Sequence, residues 1–323
     1  MKNRSRSLYR NVPLVLLMLV ASPVLHGLAL KEDTRALLRQ TILTAINNDR
    51  AVHGLPAVQL DPHASEMADR FCRTQISERT TGHFTTDGKP PYMRYSLAGG
   101  SDGLSQNAAA WSANYVFTED VLADLVRESQ REMMAEVPPH DGHRRAILDP
   151  YATHVGIGVA WEGGELRLAQ DFIRRYVEWK RPLPRSTTID KRPLATGKPR
   201  PGYDVKAISV HYEPQPMAIP PALVNRIDSY ALPSRRQDYR PRLINLHSHP
   251  PGEVCRDTVT YADGSRGDFT VERDGSFSFA IPLEDGLGVY TVVVWVQPEG
   301  SDEIISASNV SIEVGPARSS RAR

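Results

Sequence analysis

The chain has 323 residues and a formal net charge of +1. That length suggests two domains, each able to bury its own core, and the near-neutral balance excludes nucleic-acid binding through bulk positive charge. The two cysteines, Cys72 and Cys255, fall in different halves, so a disulfide between them would have to staple two domains.

The N-terminus comes in three parts: basic MKNRSRSLYR, apolar VPLVLLMLVASPVL, and the small-x-small pattern Gly27-Leu28-Ala29. This is the layout of a secretory signal peptide over residues 1–29, with a mature start near Leu30. The apolar part is shorter than the ~20 residues of a spanning helix and is broken by Pro23; an uncleaved anchor is the alternative. No later apolar run is long enough to span. The expected location is secreted, or periplasmic within the cell envelope. Cleavage would remove four basic residues and no acid, which takes the formal charge from +1 to about −3.

Residues 30–180 read as mixed helix and strand. Leu37, Leu38, Ile42, Ala45 and Ile46 recur at helical spacing, with Gly54 as the stop signal. Asp61-Pro62 gives an N-cap followed by proline at the first helical position, and Met67, Ala68, Phe71 and Cys72 form that helix's apolar stripe. On this face a buried thiol competes with the disulfide reading of Cys72. Thr118-Glu119-Asp120 opens a third helix with buried Val121, Leu122, Leu125, Val126, Met133 and Met134. His154–Trp161 and Leu166–Phe172 then flank Gly163-Gly164 as a hairpin.

Residues 181–202, rich in proline and basic side chains, read as a semi-rigid linker whose later part could begin the next domain's edge strand. Period-two alternation fills 203–315: Ile208, Val210 and Tyr212; Phe269 and Val271; Phe277, Phe279 and Ile281; Tyr290, Val292, Val294 and Val296; Val310, Ile312 and Val314. Short strands with turns at Asp274-Gly275 and Pro298-Glu299-Gly300 predict an all-β sandwich, and 316–323 a basic tail.

Chemistry concentrates in the first half. In PHDGHRRAILDP two histidines stand three apart, but Pro138-Pro139 and Gly142 make the segment a turn entering a helix, which points His140 to water. The HExxH zinc pattern is absent. His83 in Gly82-His83-Phe84 is the other candidate, since two neutral imidazoles begin a metal site or an acid–base pair. His247-Ser248-His249-Pro250 reads as an exposed loop, and Tyr203, Tyr212 and Tyr261 as sandwich residues rather than a sugar platform.

The ordered blocks INNDRAVHGLPAVQLDP, GHF, HDGHRRAILDPYATHVGIGVA and LRLAQDF resemble the CAP superfamily. These are the cysteine-rich secretory proteins, insect antigen 5 allergens and plant pathogenesis-related proteins, here in the bacterial SCP-like branch. The resemblance runs from Thr34 to Phe172 and implies an α-β-α sandwich, so the fold class expected is α+β, followed by an immunoglobulin-like or carboxypeptidase-regulatory-like sandwich. It further implies a cleft of two histidines and two glutamates able to hold a divalent metal.

His83 and His143 match the histidines. Glu136 in Met133-Met134-Ala135-Glu136 best matches one acid, with Glu132 or Glu128 as substitutes one or two turns back. In Ser105-Gln106-Asn107-Ala108-Ala109, Gln106 stands where the other acid belongs. His83, His143 and Glu136 would then hold zinc weakly, because an amide brings only a dipole to a dication. Ser105 beside Gln106 lies in no G-x-S-x-G elbow and reads as an ordinary strand serine.

The leading expectation is an exported binding module for a lipid, an envelope glycan or a protein, rather than an enzyme. A metal-dependent hydrolase using the same cleft and a structural envelope protein are the alternatives.

Overall fold

The structure, a computed structural model, describes residues 23–242 and 259–317. Residues 1–22 of the expected signal peptide, His247, His249, Cys255 and the tail from Arg318 lie outside the described residues. Among those described, no helix is long and apolar enough to cross a membrane.

The first domain runs α1 (Pro23–Val52), β1 (Gln59–Leu60), α2 (Pro62–Glu78), α3 (Pro91–Leu97), β2 (Gly103–Ser112), α4 (Glu119–Ala135), α5 (Gly142–Ile147), β3 (His154–Glu162) and β4 (Glu165–Arg174). Its sheet has the order β1-β3-β4-β2, with only the β1–β3 pair parallel. Alternation along β3 decides the layering. Val155, Ile157 and Val159 pack with Leu38, Ile42 and Ile46 of α1 and Leu122, Val126 and Met133 of α4. The intervening Gly156 and Gly158 face α2, and a Cβ on Gly158 would sit 2.2 Å from the Ala68 carbonyl carbon. Only glycine lets α2 lie this close to the strand. Helices on both faces of the sheet give the α-β-α arrangement.

The expected Asp61 cap forms, accepting the Ala64 N–H at the start of α2, and Thr118 caps α4 by accepting the Val121 N–H. Leu37, counted in the α1 stripe, instead faces outward at 62% exposure. Cys72 is a fully buried free thiol on α2, raised well above the usual thiol range by burial.

The second domain contains β5 (Val177–Trp179), β6 (Ser186–Thr188), β7 (Leu194–Pro199), β8 (Tyr203–Glu213), the single turn α6 (Pro221–Val224), β9 (Arg236–Pro241), β10 (Val259–Thr260), β11 (Arg266–Val271), β12 (Phe277–Ala280), β13 (Gly288–Pro298), β14 (Ile305–Ser306) and β15 (Val310–Gly315). A continuous hydrogen-bonded path runs β5-β7-β12-β11-β9-β8-β13-β15-β6. Phe269, Phe277, Phe279, Tyr290, Val292, Val294 and Ile312 share one core, as the alternation requires, whereas Val271 is 40% exposed.

Residues 181–202 are not a bare linker. They contribute β6 and β7, and β5 begins only two residues after β4 ends. Of these, β6 ends the path, where proline and basic residues are tolerated, whereas β7 pairs on both sides, with β5 and β12.

The two domains pack together through α3. Val289 of β13 joins Tyr92 and Met93, and Ser96 Oγ donates to Asn309 O at 2.9 Å. The segment between β8 and β9 leaves the second domain and crosses the loop before α3. There the Ile219 N–H donates to Thr86 O, and Asn225 pairs with the Thr81 N–H and Arg79 O.

Candidate functional site

The site forms around the outer edge of β2, where residues from opposite faces of the sheet meet. Consecutive side chains on a strand point to opposite faces. Gln106 turns toward α2 and α3, and Asn107 toward α4 and α5. Asn107 Nδ2 donates to the His143 carbonyl at 3.1 Å and to Gln170 Oε1 at 3.2 Å, which anchors α5 against the sheet.

On the α5 side, His143 sits in the first turn of a six-residue helix. Glu136, just past the end of α4, accepts the backbone N–H groups of His143 at 2.8 Å and Arg144 at 3.3 Å, and its other oxygen accepts His143 Nδ1–H. One carboxylate thus caps the short helix and fixes the tautomer of its histidine. Arg50 holds the other end. It is 0% exposed and donates to Ile147 O and Asp149 O at 2.7 and 2.9 Å.

On the α2 side, His83 Nδ1 lies 3.3 Å from Gln106 Oε1, which also accepts from Arg94 Nη2, so the histidine is the donor. Arg94 holds the preceding loop by donating to His83 O and Lys89 O. Gln106 Nε2 donates to Asp171 Oδ1 at 2.9 Å. Burial pushes Asp171 up to about 6, against the pull of Gln106 and Arg94. Burial also pushes His83 down to about 4, only partly offset by Gln106. His83 is therefore neutral at pH 7, with its proton on Nδ1.

The two imidazole rings approach to 6.3 Å between centroids. Beside them stands a residue from the second domain. Tyr230 meets His83 edge-on at 4.9 Å, and its hydroxyl accepts the Gln106 N–H at 2.6 Å. Asn309, also from the second domain, donates to Leu104 O at 3.1 Å.

Residues 43–172 match the model of the cysteine-rich secretory protein family, CAP. The chain carries a CAP domain. Among solved structures, an extracellular protein containing a SCP domain from Bacillus anthracis str. Ames is similar at 20% identity, with a TM-score of 0.34. That alignment covers 44% of this chain and 41% of the other, so it spans less than half of either. No curated protein matches.

Within the CAP domain, His83 and His143 do come together, and Glu136 rather than Glu132 or Glu128 is the acid that touches His143. Glu128 pairs with Arg131 instead. His140 is exposed and stands apart from the pair. Ser105 hydrogen bonds neither imidazole among the described residues.

The expected zinc set of His83, His143 and Glu136 does not fit this arrangement. Both oxygens of Glu136 are committed to holding His143 and α5, and Gln106 is committed to His83, Arg94 and Asp171. Among the described residues no three His, Cys, Asp or Glu side chains converge on a metal position. Two imidazoles remain, short of the three protein ligands of a catalytic zinc site.

Sequence reasoning missed Asp171, Arg94 and Tyr230. Asp171 is the register partner of Gln106 across β2–β4 and carries the negative charge absent at position 106. It lies within the quoted LRLAQDF block, but only strand pairing reveals its partner. Arg94 sits on a helix with no apolar periodicity to announce it. For Tyr230 the one available signal was the proline-rich break in alternation after Glu213.

Proposed function

We propose that the CAP domain is an extracellular or envelope binding module whose site is the cleft around His83, His143, Glu136 and Gln106. The observation that carries this reading is how the polar groups are used. The acids that reach the imidazole network, Glu136 and Asp171, hold other protein groups in place, and no hydroxyl or thiol among the described residues hydrogen bonds either ring. A hydrolase needs a nucleophile, or a water beside a base with a spare proton-accepting position. The carboxylate-oriented His143 favours that second reading, since it resembles the base and orienter of a catalytic pair.

The leader pattern supports export, and an immunoglobulin-like sandwich is our reading of the second domain, as a spacer or adhesion unit. Lipid, envelope glycan and peptide are the ligand classes considered. The test is an NMR titration of the mature chain with phosphatidylglycerol vesicles, soluble peptidoglycan fragments and short peptides. Saturable shifts centred on His143, Glu136 and Trp111 with one class support the binding module. Ester or peptide turnover that disappears in His143→Ala would replace it with the hydrolase.

A further inference from the structure

We propose that the distal half of the β2 edge is a strand-pairing site for an extended, basic peptide segment. This rests on the binding-module reading above and deepens it.

Among the described residues β2 is the last strand of its sheet, paired on one side with β4 and with no strand on the other. In an antiparallel ladder the N–H and C=O of one residue point to the same side, and successive residues alternate. Three bonds fix that alternation here. Leu104 O accepts from Asn309 and Gln106 N–H donates to Tyr230, both away from β4. Ala113 N–H donates to Gly164 O in the β3–β4 turn, toward β4. The β2–β4 register runs without a shift from Gly103 to Ser112, so Ala108 and Ala110 also aim their N–H and C=O outward. Among the described residues, nothing hydrogen bonds to those groups.

The edge is therefore divided. The second domain covers its first half with the Asn309 and Tyr230 side chains and, at the strand's first residue, with the Ala307 carbonyl, which accepts the Gly103 N–H at 3.2 Å. The second half borders an open groove of about 430 Å³. Four consecutive residues, Ala108 to Trp111, line that groove, which shows that it runs along the backbone edge rather than along one face. The alanines keep the backbone within reach. Natural edge strands are usually blunted by lysine, proline or a bulge, and GLSQNAAAWS has none of these.

The opposite wall selects the occupant. Glu132 offers an exposed carboxylate beside the nearly buried Met133, Glu136 adds negative charge although its oxygens hold His143 and α5, and among the described residues no lysine or arginine lines the groove. Glu132 is exposed and forms no ion pair among the described residues. A segment added to this edge would turn one set of alternate side chains toward the α4 wall, where basic ones meet Glu132, and the other set toward the opposite face of the sheet, with His143 also lining the groove. Strand addition of this kind draws affinity from main-chain bonds and selectivity from alternate side chains.

The experiment uses the full mature chain and a fluorescein-labelled Lys-Val-Lys-Val-Lys-Val peptide blocked at both ends, read by fluorescence anisotropy. Two further peptides carry N-methyl groups, one on the valine nitrogens and the other on the lysine nitrogens. The unmethylated peptide is expected to bind, and one methylated series to lose binding while the other keeps it, because only one set of N–H groups can face β2. Ala108→Pro removes an outward N–H and no ladder bond, and should weaken binding about tenfold, the loss expected of one or two backbone hydrogen bonds. Glu132→Lys should weaken it severalfold at low salt and less at high salt. The methylation pair works on the wild-type protein, so the test survives poor folding of the proline variant. Absence of binding, or equal effects of the two methylation patterns, overturns the proposal. If the peptide fails while vesicles or glycan fragments still shift resonances around His143, the binding module stands and only strand pairing falls.

Discussion

His83 and Asp171 are neighbours through Gln106, yet burial pushes them in opposite directions along the pH axis. Between pH 6 and 4 the buried Asp171 holds a proton that the unfolded chain has lost, so this group adds stability as pH falls through about 6. Between pH 6.5 and 4 the unfolded chain holds a proton on His83 that the folded chain refuses, so this group removes stability over nearly the same window. At about 1.4 kcal/mol per pKa unit each effect is about 3 kcal/mol, and the two nearly cancel in the wild type. Urea denaturation at pH 7 and pH 4 separates them. Relative to wild type, Asp171→Asn should lose about 3 kcal/mol more on acidification, and His83→Gln should lose about 3 kcal/mol less. Matching pH profiles for all three proteins would contradict the burial assigned to the pair.

The same neighbours explain why an amide serves at position 106. Gln106 offers an acceptor to His83 and Arg94 and a donor to Asp171. Gln106→Glu would keep the first role and turn the second into a close contact of two carboxylates. The expected cost at pH 7 is about 2 kcal/mol, recovered at pH 5 as one acid of the pair takes a proton. Denaturation at both pH values checks it. Read from the sequence alone, that substitution restores a missing ligand; in the folded protein it breaks a network. The two histidines and Glu136 were legible because they fall in blocks with known neighbours. Asp171 was not, since its partner is set by strand register and not by spacing.

At the scale of elements, the short helix α5 is held at both ends by side chains from elsewhere. A six-residue helix has too few internal bonds to persist alone, so Glu136 at its start and Arg50 at its end supply what its length cannot. Arg50 is fully buried, and burial lowers the pKa of its guanidinium. Arg50→Met keeps much of the volume but leaves several carbonyls without donors, which should cost about 3 kcal/mol. Faster hydrogen exchange should concentrate in residues 142–149, and uniform exchange changes would argue against a clamp. The long helices and the β3–β4 hairpin could be read from caps and periodicity, whereas the role of the glycines of VGIGVA shows only in their close approach to α2. Elements made by tertiary contact could not: α3 has no stripe of its own, and Leu37 lies on the correct helix but off the buried face.

At the scale of the whole molecule, the two largest clusters of buried side chains lie one around the β1–β4 sheet and one among the later strands. What composition could not convey is that the second domain completes the first. The proline-rich segment after Glu213 crosses the loop before α3 without pairing in a sheet, turning once at α6, and it delivers Tyr230 to His83. Burial is the largest cause of the lowered His83 pKa, and part of that burial comes from this tyrosine. Tyr230→Ala should let water reach the imidazole and raise the His83 pKa from about 4 toward its ordinary 6.5. Tyr230→Phe keeps the ring, loses only the bond to the Gln106 N–H, and should leave that pKa near its wild-type position. Histidine side-chain NMR across pH 3.5–7.5 measures both variants directly. A His83 pKa that stays near 4 in Tyr230→Ala would mean that the CAP domain buries this histidine unaided, and that the second domain only touches a site already closed.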